Sequence, residues 1–391
     1  MKHLVCLSFE HRVGNQIDAV YPPFSDRPHI NYWNQGLPFV GIPDKAHGAC
    51  SSVIQFTLPN GDLETGHSYG IAAYRSIETS SLQKTDPSYI RGHVQRSLCV
   101  ISDIPLFGEL EAPLKTLLYD RFDSLVDSIQ EMYQLLFQLT TKPSPFSGVS
   151  YNSLFQNLQY EVLTVAKALF MNHSVLIFAE NSELVSKMVI ALGSLLPGFI
   201  YNESYPLKFL GKSYSFAPYV PLQFTETLNS SSSHSKLMGT CSELFMDRKV
   251  VDYDILIDCR SVPAIVKGKR LNYSRITDIE YDWMKGILKE MKLNWQKPQI
   301  GDWIREQFLK WSNSLLTSLG NTRNIHIVPE FIWPYLDWKK SYDVFGEEFV
   351  LELINNPCVH LFIKEYVDCS LKPIDESLSP KKNQISLKFW K

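Results

Sequence analysis

Apolar residues alternate with polar ones early in the chain and recur at helical spacing later, which divides the sequence into three stretches. Over residues 1–101 the pattern is that of strands. "HLVCLSF" at 3–9 is one, "SVIQFTL" at 52–58 and "YGIAAYR" at 69–75 flank an Asn60-Gly61 turn signal, and "SLCVIS" at 97–102 is another. An Asn-Gly pair between apolar runs is a strong short-range mark of a hairpin. After a helix start at Pro113, the residues Leu114, Leu118, Leu125, Ile129, Met132, Leu136 and Leu139 keep helical spacing until "KPSP" ends the run, predicting one long helix. The proline-bearing segment 141–150 then reads as a linker.

A second unit opens with a helix on Leu158, Val162, Val165 and Leu169, followed by a short apolar strand, Val175 to Phe178. A polar loop leads into a helix with Leu184, Met188, Leu192 and Leu195 on one face, and strands follow at "KLMGT" and "YDILIDC". Continuous apolar strands alternating with helices predict a mostly parallel sheet. "SSSSHS" at 230–235 reads as a loop. From about 272 the pattern is helical. One stripe is Ile276, Trp283, Ile287 and Met291; a second, behind a cap at Asp302, is Ile304, Phe308, Trp311, Leu315 and Leu319; "VFGEEFVLELI" is a third helix. The expectation is an α/β protein with units at 1–140, 150–265 and 272–391.

The loop after Phe178 poses a chemical question. A nucleotide-binding unit places glycines there so that a phosphate can approach backbone N–H groups at the positive end of the helix. Here the loop is Ala179, Glu180, Asn181, Ser182, Glu183. Two carboxylates suit the helix dipole, and by the same field they repel a phosphate.

Composition narrows the classes. The 391 residues are 45% hydrophobic, 20% charged and 13% aromatic, which is globular material with generous cores. A formal net charge of −3 gives no basic field to hold nucleic acid, so that partner class is set aside. "MKHLVCLSFEHR" has too short an apolar run for a secretory signal, and Leu184 to Ile200 is interrupted by Ser186, Lys187, Ser194 and Pro197, so no transmembrane segment is expected. Seven scattered cysteines without C-x-x-C spacing fit buried free thiols and offer no zinc site.

Several motifs invite other readings. "GHSYG" at 66–70 matches the G-x-S-x-G nucleophile elbow, with Asp258 and His326 or His360 in the chain order of a serine hydrolase. What precedes Gly66 is polar rather than a buried strand, and "IAAYRSI" pairs more naturally across the Asn60-Gly61 turn. "GKS" at 211–213 resembles the end of a P-loop, yet Pro206 stands where a free N–H is needed. "VKGKR" at 266–270 reads as a solvated loop, and the lysine-rich tail with Phe389 and Trp390 could touch an anionic membrane.

Taken in order, these pieces resemble the DENN-domain family, in particular its late-secretory-pathway, Avl-type subgroup. "YPP" at 21–23, "LPFVGIPDKAH" at 37–47 and "RSLCVISDIPLFG" at 96–108 are similar to the upstream module. "VAKALFMNHSVLIFAENSELVSKMVIALGSLLPG", "YSFAPYVPL" and "LMGTCSELFMDRKVVDYDILID" are similar to the central one, and "GDWIREQFLKWSNSLLTSLGN" with "FGEEFVLELI" to the downstream helices. The resemblance implies a longin-like upstream module, an α/β central module and a helical tail. It further implies guanine-nucleotide exchange on a Rab-type small GTPase in vesicle traffic, with no cofactor and at most peripheral membrane contact. The nucleotide would then belong to the partner. Contacts in a parallel sheet concentrate beyond the carboxyl ends of the strands, which nominates Glu180, Asn181, Glu183, Thr240 and Asp258 as partner contacts. A non-catalytic scaffold remains an alternative. So does a GTPase-activating role through Arg75, Arg91 or Arg96, and, in a different class, a serine hydrolase using Ser68.

Overall fold

The computed structural model describes residues 1–24, 30–44, 51–59, 67–82, 92–140, 146–196, 200, 216–224, 237–268, 271–297, 299–321 and 338–355. The Asn60-Gly61 turn, "GKS", the 230–235 loop, Arg91, His326, His360 and the tail lie outside the described residues.

The first sheet is built from β1 (His3–Glu10), β2 (Gly14–Tyr21), β3 (Ser51–Pro59), β4 (His67–Glu78) and β5 (His93–Ser102), in the order β2-β1-β5-β4-β3 with every neighbour antiparallel. Leu4, Val5, Cys6 and Leu7 of β1 are all buried, because helices cover both faces. Helix α1 (Ile30–Gly41) takes one face and comes so close that a Cβ on Gly41 would meet the Leu7 side chain at 2.3 Å and Cys99 Sγ at 2.8 Å. Helices α2 (Phe107–Asp120) and α3 (Ile129–Leu139) take the other, where the Cys6 thiol donates to Leu125 O and the Tyr69 ring meets Phe107 edge-on.

Two expectations need correction here. The single long helix is two, separated by a short 3-10 turn at Phe122–Ser124 that buries Phe122. Pro113 lies inside α2 rather than at its start, because buried Phe107 and Leu110 carry the apolar stripe back a turn before it. Strand β2 and helix α1 went unread in the sequence.

The second sheet holds β6 (Val175–Phe178), β7 (Phe216–Ala217), β8 (Leu237–Thr240), β9 (Ile255–Asp258) and β10 (Ile265–Gly268), in the order β10-β9-β6-β8-β7. All pairs are parallel except β9 with β10, as a mostly parallel reading requires. "VKGKR" therefore contributes an edge strand, not only a loop. Helices α4 (Asn152–Leu158) and α5 (Glu161–Phe170) precede β6, divided at Gln159, whose φ is 48°. Helix α6 (Ser182–Ser194) returns across the sheet and buries Val185, Met188, Val189 and Leu192. Its approach to β8 depends on Gly239: a Cβ there would stand 2.3 Å from both Pro218 O and Val185 Cγ1.

The rest is helical: α7 (Asp278–Asn294), α8 (Ile300–Asn321), α9 (Trp338–Phe345) and α10 (Glu347–Asn355). Thr277 caps α7 in a reciprocal capping box with Glu280. Asp302 sits within the first turn of α8, and "VFGEEFVLELI" is broken at Gly346, where φ is +90°. One buried ion pair ties these helices to the second sheet's layer. Lys167 Nζ of α5 donates to Glu280 Oε2 at 2.8 Å, Arg275 O at 2.9 Å and Phe345 O at 2.6 Å. Glu280 in turn accepts from Thr277 N–H and from Trp311 Nε1–H. Burial pushes the Lys167 pKa down and that of Glu280 up, while each charge opposes the other's shift. With every donor of the ammonium used, the pair is satisfied despite its depth.

Candidate partner-binding site

Phe178 lies opposite Thr240 on one side and Asp258 on the other, so the carboxyl ends of β6, β8 and β9 stand side by side. Of the nominated residues, Glu180 and Asn181 are exposed at this end. Asn181 is the cap of α6, its side-chain carbonyl accepting from Leu184 N–H at 3.1 Å. Thr240 is fully buried; its hydroxyl donates to Val220 O at 3.1 Å and accepts from Ser242 N–H at 3.1 Å. Its role at this end is to hold two loops in place.

Asp258 is also buried, and it holds Arg260. The carboxylate accepts from Arg260 Nε at 3.0 Å and Nη2 at 2.7 Å, and these bonds lower its pKa against the opposing effect of burial. The Arg260 side chain is 46% exposed, so the passage after β9 carries an oriented, accessible cation. It stands in the field of Asp258, Glu243 and Glu180, which raises its pKa, and 5.4 Å from the Phe178 ring. Sequence reasoning missed Arg260. The available signal was an arginine two residues past a strand-ending aspartate.

Glu183 turns away from this surface. Its Oε2 accepts the Val53 N–H of β3 at 2.9 Å, and its Oε1 pairs with Lys187 at 2.7 Å and Lys115 at 3.7 Å. One turn on, Ser186 Oγ accepts from Gln55 N–H at 3.2 Å. Lys187 also reaches Glu111 of α2 at 2.8 Å. The outer edge of β3 is thus covered by side chains of α6, and the two sheets meet along that seam.

The end of α1 borders the same carboxyl-end surface. Asp44 accepts from Leu222 N–H at 2.9 Å and donates its own N–H to the Tyr219 hydroxyl at 2.8 Å, while Gly36 leaves room for the Phe224 ring. Leu222, Leu244 and Val262, on the passages after β7, β8 and β9, are 40%, 57% and 72% exposed. Apolar side chains set among Glu180, Glu243 and Arg260 have the make-up of a protein-contact surface rather than of a closed pocket. Among the described residues no group of three or more His, Cys, Asp or Glu is arranged to hold a metal ion.

A family model described as "Transport protein Avl9" matches residues 1–204 and 202–319, which take in both sheets and every residue of this surface. The chain belongs to the Avl9 family. It is 23% identical over 396 residues to the "Late secretory pathway protein avl9" of Schizosaccharomyces pombe, an alignment covering 89% of this chain and 83% of that one. It is 22% identical over 441 residues to the "Late secretory pathway protein AVL9" of Saccharomyces cerevisiae, covering 93% of this chain and 56% of the relative.

The other sequence candidates fall into structural places. Ser68 lies within β4 opposite Leu58, with no exposed surface, and not on a strand-to-helix elbow. Arg75 stacks on Tyr119 at 3.7 Å, and Arg96 donates to Phe122 O, so both guanidinium groups are engaged by the α2–α3 layer. Cys6, Cys99, Cys241 and Cys259 are buried and outside any disulfide, and burial pushes Cys6, Cys99 and Cys259 up to about 12. No helix among the described residues is long and apolar enough to cross a membrane.

Proposed function

We propose that this chain acts in the late secretory pathway as a guanine-nucleotide exchange factor for a Rab-type small GTPase. The observation that carries the reading is the carboxyl-end surface of the second sheet: exposed Glu180, Asn181, Arg260 and Leu244, bordered by the end of α1 from the first sheet. Membership of the Avl9 family and the printed names of both relatives support the pathway. In this reading residues 1–140 are a longin-like module, 150–265 the central DENN module and 272–391 its helical continuation. The GTPase sits across the first two, since one face alone is small beside the roughly 1,600 Å² of a standard interface.

Exchange needs no covalent chemistry. It needs tighter binding to the nucleotide-free GTPase than to the loaded one. Each tenfold gain in release calls for about 1.4 kcal/mol of such difference. Arg260, already oriented by Asp258, has little rotamer freedom to lose on meeting a carboxylate of the partner. Glu180 offers the opposite charge nearby. Thr240 and Asp258 act behind the surface by fixing its loops, and Glu183 acts through the seam between the sheets.

The test is release of a fluorescent guanine nucleotide across a panel of purified Rab proteins. Acceleration of at least one is expected, slowed about tenfold by Glu180→Lys with Leu244→Asp at unchanged far-ultraviolet circular dichroism. A panel bound without acceleration would identify a scaffold instead. Acceleration untouched by these substitutions would remove the site.

A further inference from the structure

The carboxyl-terminal half of α7 has a composition that neither its packing nor the exchange surface uses. Its inner side buries Met284, Ile287 and Met291. Its outer side carries Lys285, Lys289 and Lys292, spaced i, i+4, i+7 and so aligned on one face, with Lys297 just beyond the helix. All four are exposed, and among the described residues none of them forms an ion pair. The acidic residues of this face, Asp278 and Asp282, belong to its first half, and the flanking Glu290 binds Asn294 Nδ2 at 2.7 Å. Asp302 at the start of α8 faces Arg305 at 3.8 Å.

Two large apolar side chains end the basic row. Leu293 is 68% exposed and Trp295 is 56% exposed. Lysines complement the negative end of a helix dipole, and that explains a cation in the last turn. It does not explain a row of unpaired lysines over about two turns, nor an exposed leucine and tryptophan beside them. Tryptophan with lysine is the pairing that a membrane interface favours: the ring enters the headgroup layer while the long amines reach lipid phosphates.

We infer that the carboxyl-terminal half of α7 and the turn that follows it, from Lys285 to Lys297, dock peripherally on an anionic bilayer surface, with Leu293 and Trp295 dipping into the headgroup layer. The occupant is a membrane rather than an acidic protein because four exposed, flexible amines stand beside two exposed apolar side chains, one of them a tryptophan, the combination a headgroup layer takes up. A protein partner of usual size would need a broader face. The inference stands apart from the exchange reading, since none of these residues belongs to the surface beyond β6, β8 and β9.

Co-sedimentation of the full chain with phosphatidylcholine vesicles, with and without about one third phosphatidylserine, tests it. Binding is expected only with phosphatidylserine and is expected to weaken as salt rises. Lys289→Glu with Lys292→Glu should lower the partition coefficient tenfold or more, taking about fivefold for each basic residue near the surface. Trp295→Ala with Leu293→Ser should lower it independently. Because these side chains are exposed, circular dichroism should be unchanged, and Lys289→Gln with Lys292→Gln gives a milder check in the same direction. Equal binding to neutral vesicles overturns the inference. So does wild-type binding by the α7 variants, including the case where Phe389→Ala with Trp390→Ala in the tail abolishes it. Rab nucleotide release measured without vesicles should be the same in all α7 variants, which separates this result from failure of the exchange reading.

Discussion

The Glu183 carboxylate of α6 accepts the backbone N–H of Val53 in β3 at 2.9 Å, joining two sheets across 130 residues of sequence. A strand edge would ordinarily be satisfied by another strand or by water. Here a helix supplies acceptors in register with it, Glu183 for Val53 and Ser186 for Gln55.

Removing that acceptor should cost stability before it costs recognition. Glu183→Ala leaves Val53 N–H unpaired and strips Lys187 and Lys115 of one carboxylate, for an expected loss of about 1–3 kcal/mol. Urea unfolding followed by circular dichroism measures it. An unchanged midpoint would mean that the seam contributes nothing.

The Lys167–Glu280 pair should show the asymmetry of buried charges. Lys167→Met alone strands the Glu280 carboxylate and should cost about 3–5 kcal/mol, whereas Lys167→Met combined with Glu280→Leu should recover part of that loss. The same unfolding experiment decides it, and a double variant no more stable than the single would contradict this account.

Acid sensitivity follows from Asp258. Its folded-state pKa is depressed by Arg260, so its contribution is complete above the unfolded value of about 3.9 and is lost as pH falls through the lower folded value. Arg260→Gln should raise the Asp258 pKa and move acid unfolding to higher pH. Carboxyl-carbon chemical shifts during acid titration report it directly. A titration midpoint that stays where it is would disprove the pairing.

No GTP or ATP should bind to the chain itself. Asn181 already caps α6, and the exposed Glu180 stands where a phosphate would need neutral backbone. Calorimetry with magnesium and either nucleotide should show no binding heat, and micromolar affinity would refute this reading.

The strands that could be read in advance were those whose apolar runs are dictated by burial. Val175 to Phe178 is enclosed on both faces, and so are the strands ending at Thr240 and Asp258; their continuous hydrophobicity is the trace of that enclosure. Strands β7 and β10, with two and four residues, lie at sheet edges and bury too little to leave a pattern. Helix α1 was hidden by Gly36, Pro38 and Gly41, residues that argue against a helix locally; the two glycines are kept here by close packing, Gly36 on Phe224 and Gly41 on Leu7 and Cys99. The carboxyl-end surface was legible as a place, because parallel strands imply it. The orientation of its residues was not. Glu183 has a backbone N–H from a distant strand as its partner, and Arg260 matters only once Asp258 is known to be buried beneath it.

Similarity detectable by the family model stops at residue 319. The physical unit does not. Phe345 O accepts a hydrogen bond from Lys167 Nζ, Val344 O accepts one from the Thr277 hydroxyl, and the Phe349 ring lies 4.5 Å from the same ammonium. A fragment cut where the family-model match ends would keep both sheets and lose the carbonyl and the ring that shelter a buried charge. For anyone designing an expressible fragment, the boundary to respect lies after α10.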